Sequence, residues 1–106
     1  MDDILTTALE RLDSYAVVNH GTKDTTFVLT PNTFHVWGEV SSLEISLGKE
    51  VSGIINEFLF QFESGSVATT LILPDSIKWV NETPMVEANK TYQCSIINNI
   101  GVICGV

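Results

Sequence analysis

The chain has 106 residues, of which 13 are acidic and 5 basic, so its formal net charge is −8 at pH 7. Because contacts between basic side chains and phosphates dominate nucleic-acid affinity, this charge argues against DNA or RNA as a partner, and it also disfavours an anionic membrane surface. The length fits one domain, and no apolar run reaches the roughly 18 residues of a membrane-spanning helix. The acidic start of the chain is also unlike the basic start of an export signal.

The N-terminal segment has the one sequence pattern typical of a helix. Apolar residues recur at helical spacing after two aspartates, which suit the N-terminal end of the helix dipole. We therefore predict a short helix within residues 1–14. Two roles remain open: the helix packs on its own sheet, or it bundles copies of the chain through an apolar seam. The residues of that seam are Leu5, Ala8, Leu12 and Tyr15.

Residues 15–26 are polar and contain two turn-forming stretches, so we predict a connector there. Residues 27–106 then consist of short β-type runs separated by turn residues. In the clearest of these runs, Phe58, Phe60 and Phe62 alternate with less apolar positions, which is typical of a strand with one buried face. We predict eight strands, at 26–30, 33–37, 43–47, 57–63, 69–73, 76–79, 91–97 and 100–104.

The close spacing of these strands and the lack of a second helix favour a mainly β protein. We predict an antiparallel β-sandwich, jelly-roll-like, with one short N-terminal helix. Residues 1–14 would be an oligomerisation segment, residues 15–26 a connector and residues 27–106 the sandwich domain.

The two cysteines are too few for a disulfide scaffold. A two-residue turn at Asn98-Asn99 would place Cys94 opposite Ile103 and turn Cys104 to the other face, so no disulfide could form. A three-residue loop would instead bring the two cysteines opposite each other. We predict buried free thiols, since a free cysteine usually behaves as a small hydrophobic residue.

The sequence contains no motif that indicates catalysis or metal binding. The only histidines, His20 and His35, lack the spaced partners of a zinc site, and there is no nucleophile elbow or phosphate-binding loop. We therefore predict no catalytic residue, no metal and no cofactor. Aromatic side chains can stack on a sugar ring or pack in the core. His35, Trp37 and Trp79 are the candidate ligand contacts on the first interpretation and packed residues on the second.

Three stretches of the C-terminal half share the frame of a known module. They are Phe60–Gly65, Ala68–Trp79 and Val86–Asn99, which include a Ser-Gly turn, the string TLILP, a Lys-Trp pair and the string EANKTY. This frame resembles a C-terminal module of structural proteins in tailed bacteriophages and prophages of gut Firmicutes and related bacteria. Members of that group are tail-fibre, head-fibre or minor structural proteins.

The resemblance implies a virion protein that is made in the cytoplasm of the bacterial host. It also implies partners: other virion proteins, further copies of the chain, most simply a homotrimer, and a glycan or protein of the host surface. Two alternatives stay open. One is a purely structural capsid or tail decoration protein without a receptor role, and the other is a small intracellular phage protein that binds a host factor.

Overall fold

The computed structural model describes residues 15–80 and 82–106. This part of the chain is mainly β, as predicted, and contains nine strands and no helix. The predicted N-terminal helix, with Leu5, Ala8 and Leu12, lies outside the described residues. None of the described elements is a helix that could cross a membrane. The strands are β1 (Ala16–His20), β2 (Thr26–Leu29), β3 (Thr33–Glu39), β4 (Ser42–Leu47), β5 (Glu57–Ser64), β6 (Thr70–Ile72), β7 (Lys78–Trp79), β8 (Lys90–Ile97) and β9 (Ile100–Gly105).

The first six strands alternate between two sheets. Strands β1, β3 and β5 lie side by side in the larger sheet, and β2, β4 and β6 form the smaller one. All four strand pairs within these two sets are parallel. Each odd-numbered strand and the strand that follows it therefore form one coil, and three such coils stack.

The C-terminal part of the chain extends the larger sheet to six strands in the order β1-β3-β5-β8-β9-β7. Strand β8 is antiparallel to both β5 and β9, whereas β7 is parallel to β9. The sheet is therefore mixed, and the prediction of an antiparallel sandwich is correct only for β5, β8 and β9. The smaller sheet has no antiparallel pair, and antiparallel pairing is what a jelly roll requires.

The sequence misled on strand direction because alternation of apolar and polar residues has the same period in parallel and antiparallel strands. Parallel neighbours need a crossover of about a dozen residues or more. Here that crossover is hidden, because β2 and its two short connections together carry the chain from β1 to β3. Short connections between strands are thus compatible with parallel pairing when the chain crosses to the opposite sheet each time.

Strand β1 lies in the segment predicted to be a connector, which corrects that boundary. It pairs in parallel with β3, and Ala16 lies opposite Thr33. Four of its five residues are exposed, because β1 is the edge strand of the larger sheet. An exposed edge strand lacks the apolar alternation on which the sequence prediction depended.

The core lies between the two sheets. From the larger sheet it receives alternate residues of β3, β5 and β8, such as the laterally paired His35, Phe60 and Cys94. From the smaller sheet it receives alternate residues of β2 and β4. Ring centroids 5.4 to 6.4 Å apart link Trp37, Phe60, Phe62 and Tyr92. The buried apolar side chains are Leu29, Trp37, Val40, Leu43, Ile45, Phe58, Phe60, Phe62, Ile77, Tyr92, Cys94 and Ile96.

The β8–β9 hairpin has the two-residue turn that excludes a disulfide. Asn98 and Asn99 have φ values of 51° and 63°, as in a type I′ turn, and Cys94 lies opposite Ile103. Both cysteines are free, as predicted, but only Cys94 is buried, and Cys104 is exposed on the other face. Burial, together with the nearby Cys104, raises the pKa of the Cys94 thiol to about 12. The Cys94 side chain is therefore an unreactive part of the core at neutral pH.

Candidate functional site

Two of the three predicted ligand-contact residues lie inside the protein. Trp37 is 0% exposed and His35 is 1% exposed, so neither can contact a macromolecule or a sugar in this structure. Both residues pack in the core, so for them the interpretation as packed residues is correct and the interpretation as ligand contacts is wrong. Trp79 is different, because it is partly buried on β7, the edge strand of the larger sheet.

Trp79 lines an open groove beside the smaller sheet. The Trp79 ring lies close over Gly101, its partner on β9, where a Cβ atom would approach both Trp79 and Ile77. The groove has a volume of about 490 Å³, and Leu71, Leu73 and Pro84 contribute apolar surface to it. Among the described residues that line it, Asp75 is the one that carries a charge. A partly exposed indole in such a groove can stack on an uncharged ring or on an apolar side chain.

A second feature was missed by the sequence analysis: a chain of hydrogen bonds through both histidines. His20 Nδ1 lies 2.6 Å from Asp24 Oδ2, and His20 Nε2 lies 2.9 Å from His35 Nδ1. At the other end, His35 Nε2 accepts the backbone N–H of Thr30 at 3.3 Å and lies 2.9 Å from Thr30 Oγ1. We call Asp24, His20, His35 and Thr30 the histidine relay.

Aromatic rings hold the histidine relay in place. The His20 ring stacks on Trp37 with a centroid distance of 4.1 Å and an interplanar angle of 11°. Phe27 packs edge-on beside the same ring, with a centroid distance of 4.4 Å from His20. The Trp37 indole donates a hydrogen bond to the Asp24 carbonyl at 2.5 Å, which fixes the loop between β1 and β2.

The relay is shielded from water along most of its length. The His20 side chain is 5% exposed, whereas that of Asp24 is 43% exposed. Burial lowers the pKa of His35, and the charge that His20 can acquire lowers it further. Both imidazoles thus sit inside the fold, and the carboxylate reaches solvent.

A third feature is an apolar rim at one end of the larger sheet, where β3, β5 and β9 begin and β8 ends. Ile54 and Ile55 precede β5 there, and Ile97 and Ile100 flank the hairpin turn; all four are exposed. We call these four isoleucines the hairpin edge. Tyr15, the last residue of the predicted seam, lies at the same end, because its hydroxyl donates to Asn32 Oδ1 at 3.4 Å. Asn32 in turn bonds to the backbone of Glu57 at the start of β5.

Neither a metal centre nor a known family can be assigned. Among residues 15–80 and 82–106, no group of three or more histidine, cysteine or acidic side chains could hold a metal ion. No family model, no curated protein and no solved structure matches the chain. The candidate sites are therefore judged by their own geometry.

The sequence held only a weak signal for the relay. His20 and His35 are 15 residues apart, close to the 17-residue offset between laterally paired positions of β1 and β3. That offset becomes visible only when the strands are known to be parallel. With β1 assigned as a connector, no sequence argument could bring the two histidines together.

Proposed function

We propose that this chain is a β-structured module of a tailed-bacteriophage virion that assembles as a homotrimer and contacts a glycan or a protein of the host surface. On this proposal the chain acts by contact and carries out no reaction. The sequence frame of the C-terminal half supports the virion assignment. The observation that supports the assembly is the hairpin edge, an exposed apolar rim at the end of the larger sheet where Tyr15 lies.

The occupant that we propose for the hairpin edge is the same rim of two further copies of this chain. Exposed isoleucines at 54, 55, 97 and 100 are costly for an isolated domain and are normal at an interface between subunits. The predicted seam of Leu5, Ala8, Leu12 and Tyr15 would continue the contact beyond the sheet. A threefold arrangement would let the seam and the rim close around one axis.

The ligand contact that we propose is the Trp79 groove. The net charge of −8 and Asp75 in the groove lining disfavour an anionic ligand. A neutral sugar or an apolar protein loop would fit the exposed part of the indole. Three copies of such a groove would combine weak contacts into a useful avidity.

Light scattering tests the assembly. We expect the full chain to have three times its monomer mass of 11.6 kDa. A chain that begins at Tyr15 should form particles with fewer than three copies. Ile55→Asn should also lower the mass at equal concentration, because it places an amide in the proposed interface.

Val67→Asn is the matched control for the rim. Val67 is 78% exposed and Ile55 80%, but Val67 lies beyond the other end of β5. We expect Val67→Asn to leave the mass unchanged. A monomeric full chain, or an equal effect of the two substitutions, would overturn the proposed assembly.

Cell-binding and glycan-array measurements test the ligand contact. We expect the purified oligomer to bind intact Firmicutes cells, and Trp79→Ala to weaken binding about tenfold or more, as for a central aromatic contact. Val80→Ala, at the next and outward-facing residue, is the control and should bind normally. Circular dichroism checks that both variants remain folded.

Two results would favour the alternatives. A chain that is present in purified virions but binds neither cells nor glycans would be a decoration protein without a receptor role. A chain that mass spectrometry does not find in purified virions would favour the intracellular phage protein. Turnover of a glycan by the purified chain would contradict the proposal that it acts by contact alone.

A further inference from the structure

When both imidazoles are neutral, the hydrogen bonds of the relay determine which ring nitrogen of each histidine carries its proton. The Asp24 carboxylate accepts only, so His20 Nδ1 carries a proton and donates to it. The backbone N–H of Thr30 donates only, so His35 Nε2 accepts it. The remaining proton then lies on His35 Nδ1 and is donated to His20 Nε2. All four ring nitrogens are used.

An added proton breaks this pattern. Only one proton fits between His20 Nε2 and His35 Nδ1, which are 2.9 Å apart. The added proton must therefore leave His35 Nε2 protonated, whichever ring carries the charge, and there it faces the N–H of Thr30. The Thr30 hydroxyl can turn to accept this proton, but the Thr30 N–H then loses its partner, and the histidine pair beside Trp37 and Phe27 gains a positive charge.

The surroundings offset the charge without restoring the partner of the Thr30 N–H. Asp24, from the loop between β1 and β2, is the carboxylate that touches the pair. When the shared proton moves to His20 Nε2, the charge lies beside Asp24, but the added proton still occupies His35 Nε2. The faces that β2, β3 and β5 turn to the histidines carry Phe27, Trp37 and Phe60. Within the described part of the chain, the titratable groups of this site are thus Asp24 and the two histidines.

The relay also connects four segments. His20 belongs to β1, Asp24 to the β1–β2 loop, Thr30 to the β2–β3 turn, and His35 to β3. The relay thus joins the first coil to the second across the sandwich. We propose that the histidine relay is a pH-sensitive latch that closes the β1–β2 coil on β3 while both imidazoles are neutral and loosens it in mild acid.

The direction of the pH effect follows from the lowered pKa of His35. The unfolded or opened chain, whose histidines titrate near 6.5, binds more protons than the closed fold once the pH falls below that value. The latch contributes its full stability above about pH 6.5 and loses it as the pH falls towards the lower pKa of His35. The interval from pH 7.5 to 5.5 lies above the usual range of carboxyl groups, so it isolates the histidines.

Thermal unfolding and hydrogen exchange test the latch. We expect the melting temperature to be roughly 4 °C or more lower at pH 5.5 than at pH 7.5. Amide protection, corrected for intrinsic exchange, should fall more in β1 and β2 than in β8 and β9. His35→Gln, which can still accept the Thr30 N–H but cannot titrate in this range, should remove at least half of the difference in melting temperature. Val28→Ala, an exposed change in the same coil, should leave that difference intact.

NMR titration of the two histidine rings in the unsubstituted full chain decides the matter even where His35→Gln does not fold. We expect His35 to be the Nδ1–H tautomer at pH 7.5 and to titrate below pH 6.5. A His35 ring that titrates at or above pH 6.5 would overturn the proposal, as would a His35→Gln variant whose pH dependence equals that of the unsubstituted chain.

Discussion

Replacing Phe60 by alanine should lower the free energy of unfolding by about 3–5 kcal/mol, which is the usual cost of a buried phenylalanine. Phe60 is fully buried, and its ring lies between Trp37 and Phe62 at centroid distances of 6.4 and 6.2 Å. It sits on β5, the strand that joins the parallel coils to the C-terminal hairpin. A cavity at this point removes contacts on both sides, so the neighbouring rings cannot easily close it. Urea unfolding measures the loss.

Leu59→Ala provides the control for Phe60. Leu59 is the neighbouring residue on the opposite, partly exposed face of the same strand. Its truncation should cost less than half as much, because little of the side chain leaves a packed environment. Phe60→Leu should cost less than Phe60→Ala, since it fills part of the cavity. Equal losses at positions 59 and 60 would mean that the register of β5 is wrong.

Replacing Gly101 by alanine should destabilise the protein by about 1–3 kcal/mol and displace Trp79, because the site has no room for a methyl group. A Cβ atom at Gly101 would lie 2.6 Å from Cζ3 of Trp79 and 2.9 Å from Cγ2 of Ile77. The simplest relief is for the indole to lift off the sheet into its groove. A red shift of Trp79 fluorescence, recorded in a Trp37→Phe background, would report that movement.

Gly38→Ala is the matched control for Gly101. A Cβ atom there would have Glu63 Oε2 as its nearest neighbour, at an ordinary contact distance of 3.6 Å. We expect a smaller loss of stability and no change at Trp79. If Gly101→Ala left both the stability and the fluorescence unchanged, the close packing of Trp79 on β9 would be contradicted.

The sequence was sufficient to predict local structure wherever one face of a strand is buried. The alternation at Phe58, Phe60 and Phe62 located β5, and Asn98-Asn99 indicated the β8–β9 turn, whose register the structure decided between the two loop lengths considered. Such features are local, because a buried face and a turn type are both encoded within a few residues. Strand direction is not local, since it depends on which sheet each connection reaches.

The candidate sites were harder to predict for the same reason. His35 and Trp37 were considered as ligand contacts because alternation alone does not say which face of β3 is covered. The relay needs the parallel offset between β1 and β3, and β1 itself is too exposed to show a strand pattern. The Trp79 groove is lined by side chains from residues 69–79 and 83–86, and no short motif specifies how these two stretches come together.

Strand β5 lies inside the larger sheet, but its neighbour β8 comes much later in the chain, and this order has a consequence during synthesis. Strands β1, β3 and β5 can pair as soon as Ser64 has left the ribosome, but the free side of β5 must wait for β8, which ends at Ile97. At about 5–20 residues per second, that wait lasts some seconds. Throughout it, a strand bearing three phenylalanines offers open backbone groups to any neighbouring nascent chain. Pairing with β8 covers these backbone groups, so completion of the C-terminal hairpin ends the exposure of β5.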